Sequence, residues 1–430
     1  MSKLLKHTQE FLEQADLKDR KSKGQYFTNK TLKDKSLKNI SFEDNMDILE
    51  NSCGTGEFIY SILEINENVN IDAFDIDASL VTIIGDKYPN VNAVCADWLL
   101  SGNCKKYDKI IGNPPYFEIS KAECKTRGYK EFLKYCKSKP NIYSFFIAKS
   151  IDCLKEDGEL IYVVPTSMNN GYGFSPLRDH IIKNCNIENI ILHSDDDFED
   201  AKQNTMTLHL KKLHNEEVNN GKFVYKNKSI TIFSKDVQAI DKLFKDKHSL
   251  SELGFEVYTG NYVWNQNKQY MSTNNTDTLL LWACNIIDNS LHLNPTLASG
   301  LPKLGLSTSP TPVGHKKKAR EEKSQWVSGH SEERKPLNGK SIIVNRVTGC
   351  GKKAGIRAAI VDVGRSYYTE NHLNYIIETD RSLIDLEELH NKLISVETTE
   401  ILQYISGNTQ LSKKELLNLI PIALDKPEES

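Results

Sequence analysis

Asn113-Pro114-Pro115-Tyr116 stands directly behind the apolar run Lys109-Ile110-Ile111-Gly112. The first proline fixes its own φ and carries no N–H. The second confines the residue before it to an extended conformation. Together they make a stiff elbow at a strand end, with one amide and one aromatic ring held on it. Such an elbow suits holding an exocyclic amino group still while a methyl group is delivered to it. Asparagine fits the task because its side-chain oxygen accepts a hydrogen bond without carrying a charge.

Three more segments end apolar runs upstream. In Glu50-Asn51-Ser52-Cys53-Gly54-Thr55-Gly56-Glu57-Phe58 the glycines let the backbone pass close to a ligand. Alone, that pattern is equally a tight strand-to-helix turn. Asp75 closes Ala73-Phe74-Asp75-Ile76-Asp77, and a carboxylate outside a strand end can accept from both hydroxyls of a ribose. The same placement serves nicotinamide dinucleotides, so it implies only an adenosine-containing ligand. Asp97-Trp98 closes Val94-Cys95-Ala96-Asp97-Trp98. Its acid can accept from an adenine amino group, and its indole offers a flat face. Each has a plain structural alternative, a solvated carboxylate or a core tryptophan. Their order along successive strand ends gives them weight together.

Those strand ends require a sheet. Apolar strands at 46–50, 71–75, 91–94, 109–112, 160–164, 187–193 and 205–211 alternate with helical stretches at 57–66, 78–87, 142–155 and 176–184. The alternation predicts an α/β domain, a mostly parallel sheet with helices on both faces. Residues 1–22 read as a charged helical lead-in, 23–228 as the catalytic domain and 229–430 as a second, mixed α+β domain. In that second part, 229–250 reads as a charged helix, 255–264 and 340–347 as strands, and 382–395 and 412–420 as closing helices. The Gly-, Pro-, Ser- and Lys-rich stretch 298–340 reads as a long mobile loop.

The bulk properties are those of a globular protein: 430 residues, 39% hydrophobic, 26% charged. No apolar run approaches the roughly 20 residues that cross a bilayer, and the polar start is not a secretory signal. A net charge of −3 gives no overall nucleic-acid signature, though a basic groove can be local. The nine cysteines include no C-x-x-C pair, so no zinc site is expected and reduced thiols in the cytoplasm are.

The set resembles the N6-adenine DNA methyltransferases of the γ class, many of which belong to restriction-modification systems. The residues that carry it are 50–58, Asp75-Ile76-Asp77, Asp97-Trp98, 113–116 and Gly24-Gln25-Tyr26-Phe27-Thr28. The resemblance implies a Rossmann-like sheet that binds S-adenosylmethionine, followed by a target-recognition domain. It places Tyr26 and Thr28 near the methionine carboxylate, and Glu50, Ser52 and Gly54 along the methionine side. Asp75 would take the ribose, Ile76 would pack on the adenine, and Asp97 and Trp98 would read and cover it. Asn113, beside the donor, and the Pro114 carbonyl would accept from the target amino group. Tyr116 and Phe198 would stack on the flipped base, and Asn141 and Tyr143 would lie near the target.

For DNA grip, Arg346 and Lys352-Lys353 are the candidate phosphate contacts. Double-stranded DNA is the expected partner, with any restriction endonuclease a separate chain and this one a monomer. The same tetrapeptide also serves enzymes that methylate RNA or protein glutamine, and an idle nucleic-acid-binding relative is a further alternative.

Overall fold

The computed structural model describes residues 4–102, 105–193, 204–215, 217–227, 230–293, 324–330, 334–347, 355–405 and 411–424. The chain divides into two compact units, Met1–Asp241 and Lys242–Ser430. The boundary lies downstream of the expected 228/229, and residues 1–22 belong to the first unit rather than standing apart.

The first unit opens with α1 (Lys6–Gln14), α2 (Leu17–Ser22) and α3 (Lys30–Leu37). The sheet region then runs β1 (Asp47–Glu50), α4 (Glu57–Ile65), β2 (Asn70–Asp75), α5 (Ala78–Lys87), β3 (Asn92–Cys95) and β4 (Tyr107–Gly112). It continues with α6 (Lys121–Thr126), α7 (Tyr143–Cys153), β5 (Leu154–Pro165), α8 (Ser175–Asn184), β6 (Cys185–Leu192) and β7 (Thr205–Lys212). The seven strands stand in the order β3-β2-β1-β4-β5-β7-β6. β1 to β5 are mutually parallel, and β7 is antiparallel to β5 and β6.

Strand alternation builds a core on each face. Leu49, Ile110, Leu160, Tyr162 and Val164 face Phe145, Ile147, Ile151, Leu177 and Ile181 of α7 and α8. Their neighbours Ile48, Ile111, Ile161 and Val163 face Leu32, Phe58, Ile59, Ile62 and Ile84 of α3, α4 and α5. Both sets are buried, as a sheet covered on both sides requires. Strand order reverses between β1 and β4, and a crevice outside the strand carboxyl ends belongs at such a point.

The second unit is strand-rich. One antiparallel sheet orders Glu256–Thr259, Leu373–Ile377, Ser341–Asn345 and Ala358–Val361, and a mixed sheet orders Met271–Ser272, Trp326–Val327, Thr278–Leu281 and Tyr367–Thr369. The helices Leu386–Leu393 and Lys413–Leu419 fall where closing helices are expected. Within 229–250 the helix is only Val237–Phe244, preceded by the strand Thr231–Phe233. Most of 298–340 lies outside the described residues, as do Phe198, Lys352 and Lys353.

Among the described residues, Cys53, Cys95, Cys124, Cys136, Cys185 and Cys284 are free thiols. Cys153 is disulfide-bonded, against the expectation of reduced thiols throughout. The fold decides which cysteines meet, and spacing does not reveal it.

Candidate active site

A cleft of about 490 Å³ opens at the carboxyl ends of β1, β2 and β4. Tyr26, Thr28, Glu50, Ser52, Gly54, Asp75, Ile76, Asp97, Trp98 and Asn113 all line it. Ten of the residues singled out from sequence are thus brought to one cavity.

The first turn shapes one wall. Gly56, the residue ahead of α4, has φ +81°, and a Cβ there would fall 2.6 Å from the Ile84 side chain. Only glycine takes that conformation and spacing together. Beneath the turn, Tyr162 donates its hydroxyl to Asn51 Oδ1 at 2.6 Å and Asn51 Nδ2 donates to Ser150 Oγ at 3.1 Å. From outside, α1 stitches down onto the turn. His7 Nε2 is 2.8 Å from the Thr55 carbonyl, the Thr8 hydroxyl donates to Glu57 Oε1, and Lys33 pairs with Glu57 in full burial. The lead-in therefore braces the turn that forms this wall of the cleft.

Acidic groups mark the cavity. Glu50 is buried, with Oε2 lacking a hydrogen-bond partner. Burial pushes its carboxyl well above the usual carboxylate range, against the pull of the Lys33 ammonium. Asp75 accepts from the Asp77 and Gly54 amides at 3.0 and 2.9 Å. Burial nonetheless raises its pKa, with those amides opposing. Asp97 caps a short helical turn, Oδ1 accepting from Leu99 N at 3.0 Å, while the Tyr129 hydroxyl donates to Oδ2. Ile76, 67% exposed, is an apolar surface open for packing.

The Asn113 amide is fixed in orientation. Its Nδ2 donates to the Tyr26 carbonyl at 3.0 Å and to Thr28 Oγ1 at 3.2 Å. A carbonyl can only accept, so the amino end must face residues 26–28 and Oδ1 becomes the acceptor. Gly24 lets that segment approach: a Cβ there would lie 2.9 Å from Tyr116 N. Pro114 is buried, and Pro115 lines the cleft.

Several expectations need correction. Trp98 lines the cavity but is 3% exposed, its ring packed against Phe146 at 5.7 Å. It is a floor of the site rather than a free stacking face. Tyr116 is also buried, packed against Tyr26 and Tyr143 with ring centroids 6.0 Å away in each case. It presents no open face for a base. Its hydroxyl instead donates toward Asn113 Oδ1 and the Val163 carbonyl. Tyr143 is 1% exposed and stacked on Phe174, so it is a core residue and not a DNA contact. The large apolar surface of a tyrosine drives such burial once a pocket exists. Asn141 Oδ1 is buried without a partner. In the second unit, Arg346 Nη1 is committed to the Asn371 carbonyl at 2.8 Å.

Sequence reading missed Tyr129 and Lys149, which hold the Asp97 turn, and the Thr8, Lys33 and Glu57 network behind the glycine turn. Nothing in their local spacing signals these roles. S-adenosylmethionine, the cofactor expected from the sequence, fits this cavity. The partnerless Glu50 oxygen suits an ammonium, Asp75 a pair of hydroxyls, and Ile76, Leu99 and Phe146 a flat ring.

Residues 5–199 match the sequence model of the Eco57I restriction-modification methylase family. Modification methylase CviBIII of Paramecium bursaria Chlorella virus NC1A is 36% identical over 173 residues, covering 38% of this chain and 44% of that protein. Type II methyltransferase M.AccI of Acinetobacter calcoaceticus is 32% identical over 153 residues, 34% of this chain and 28% of that one. Type II methyltransferase M.HincII of Haemophilus influenzae is 27% identical over 229 residues, 52% of this chain and 43% of that one. The chain spans less than half the length of these relatives.

Proposed function

We propose that this protein is a site-specific DNA methyltransferase that moves a methyl group from S-adenosylmethionine to N6 of an adenine flipped out of a duplex. Its biological setting would be a restriction-modification system, with any endonuclease a separate chain. The observation that carries the reading is the Asn113 amide, pinned by residues 26 and 28 so that an oxygen, not an N–H, is its accepting end beside the Tyr116 hydroxyl.

The amino nitrogen of adenine is a poor nucleophile because its lone pair is delocalised into the ring. Asn113 Oδ1 and the Pro114 carbonyl accept its two N–H bonds. The nitrogen then pyramidalises and its lone pair turns toward the methyl group. Preorganised acceptors of this kind act mainly by position and electrostatics. When bound, S-adenosylmethionine supplies a methyl group already activated by its sulfonium charge. Glu50 holds the α-ammonium, Asp75 the ribose and Asp97 the adenine amino group. A base inside a duplex cannot reach this cavity, so it must be extruded, at a cost of a few kcal/mol. Tyr116 serves Asn113 rather than the base. Residues 242–430 would read the target, with Arg346 near the DNA.

The test is methylation with labelled cofactor of DNA, RNA and a release-factor protein side by side, then sequencing of modified adenines in a random DNA library. N6-methyladenine at one short motif is the expected outcome. Label confined to RNA or protein sinks the reading.

A further inference from the structure

We propose that Lys149 is a positioning residue of the cofactor site, holding the Asp97–Ser101 turn in the shape that receives the cofactor's adenine. The proposal rests on the cofactor reading above and concerns a residue with no place in the transfer chemistry.

Lys149 stands on α7, on the side of the turn away from the cleft: Asp97, Trp98 and Leu99 line the cavity and Lys149 does not. Its ammonium donates to the Trp98 carbonyl, to the Leu99 carbonyl at 3.2 Å, and to the carbonyl and hydroxyl of Ser101 at 2.8 and 3.2 Å. It also lies 4.6 Å from the centroid of the Trp98 ring. The Ser101 hydroxyl donates in turn to the Trp98 carbonyl at 2.7 Å. Among the described residues Lys149 forms no ion pair.

A half-buried lysine without a carboxylate is costly unless its charge is used. Here it is used on carbonyls. The carbonyls at the end of a helical turn carry partial negative charge, and the Trp98 carbonyl already accepts from Ser101. One ammonium gathers three of them, and its charge sits over the negative face of the indole. The turn it ties down begins at Asp97, whose Oδ1 already accepts from Leu99 N and whose Oδ2 receives the Tyr129 hydroxyl. Asp97 is thus held at the turn by Leu99 and at the rim by Tyr129, while Lys149 fixes the backbone on which both Asp97 and Trp98 sit.

The consequence is specific. Losing Lys149 loosens the adenine end of the cavity and leaves Asn113, more than thirty residues away in sequence, with its own partners from residues 26 and 28. Binding should suffer and transfer should not.

The experiment measures S-adenosylhomocysteine affinity by titration calorimetry, and KM and kcat for labelled S-adenosylmethionine, on the full chain. Lys149→Met should raise Kd and KM about tenfold while kcat at saturating cofactor stays within about twofold. Lys149→Arg keeps the charge but not the compact three-proton head, and should recover part of the loss. Ser101→Ala removes only the hydroxyl that accepts from Lys149 and donates to the Trp98 carbonyl. It should raise Kd about two- to threefold in a fully folded protein, and it carries the test if Lys149→Met does not fold. Wild-type affinity in folded Lys149→Met, or in Ser101→Ala where Lys149→Met is unfolded, overturns the role of Lys149. A fall in kcat with KM unchanged overturns it too. Failure of the wild-type chain to bind S-adenosylhomocysteine overturns the cofactor reading and this proposal with it.

Discussion

The Tyr116 hydroxyl donates toward Asn113 Oδ1 while the Val163 carbonyl oxygen lies 2.6 Å from the same hydroxyl. One hydrogen faces two acceptors, so it can serve Asn113 or Val163 but not both at full strength. Residue 116 therefore tunes the acceptor that residue 113 offers. The Asn113 oxygen must have a free lone pair when an amino group arrives, and Val163 gives the tyrosine hydrogen somewhere else to go. Tyr116→Phe keeps the ring packed between Tyr26 and Tyr143 and removes only this hydroxyl. It should lower kcat about five- to tenfold with cofactor affinity unchanged. Unaltered kcat would show that the hydroxyl only fills space.

Asn113→Ala removes the acceptor and frees the segment at residues 26–28 from its two bonds to the amide. Transfer should fall by more than about a hundredfold, in line with other deletions of a preorganised polar group. Binding of S-adenosylhomocysteine should stay within a few-fold, because Glu50, Asp75 and Asp97 are untouched. Steady-state methylation and calorimetry on one preparation separate the two effects, and substantial turnover would contradict the role given to Asn113.

How far these relations are legible in sequence differs by kind. All seven strands of the large sheet lie where apolar runs predict them, because a strand buried on both faces needs a continuous apolar segment. Strand ends then bring residues 50, 75, 97 and 113 to one cleft, since parallel strands share a carboxyl edge. What sequence does not carry is contact across turns. Tyr129 meets Asp97 across 32 residues and Lys149 meets Trp98 across 51. Neither separation follows any periodicity. Burial of the aromatic rings is equally silent: Trp98 and Tyr116 read as free stacking faces until their neighbours Phe146, Tyr26 and Tyr143 are in place.

Glu50→Gln should split stability from binding. Burial raises the Glu50 carboxyl well above its ordinary range, so folding with the group ionised is penalised. A folded pKa above the unfolded one means the wild type loses stability as pH rises from about 4.5 through the folded value. Glutamine escapes that loss. The variant's melting temperature, relative to wild type, should therefore be more favourable at pH 8 than at pH 4.5. S-adenosylhomocysteine affinity should fall at least about tenfold, because a neutral amide replaces the partner of an ammonium. Equal affinity would place the ammonium elsewhere.

At the opposite end of the sheet, Glu159 on β5 sits between Lys109 on β4 and His209 on β7. It pairs with the Lys109 ammonium, and His209 Nε2 lies 3.7 Å from its other oxygen. Burial opposes ionisation of Glu159, but the neighbouring His209 ring and the paired Lys109 ammonium outweigh it and hold the carboxyl at about 2. The sign is the reverse of Glu50. A depressed folded pKa gives stability that is complete above the ordinary carboxylate value of about 4.5 and is lost as pH falls toward 2. Glu159→Gln leaves the buried Lys109 ammonium without its counter-charge, which costs more than the pair contributes. The variant should melt several degrees below wild type at neutral pH, and the gap should narrow as pH drops from about 4.5 toward 2. Because the trio lies on β4, β5 and β7 away from the cleft, cofactor affinity at neutral pH should be unchanged. Thermal melts across that acid range decide the matter: a gap that is constant with pH would mean that Lys109 does not depend on Glu159 for its charge balance.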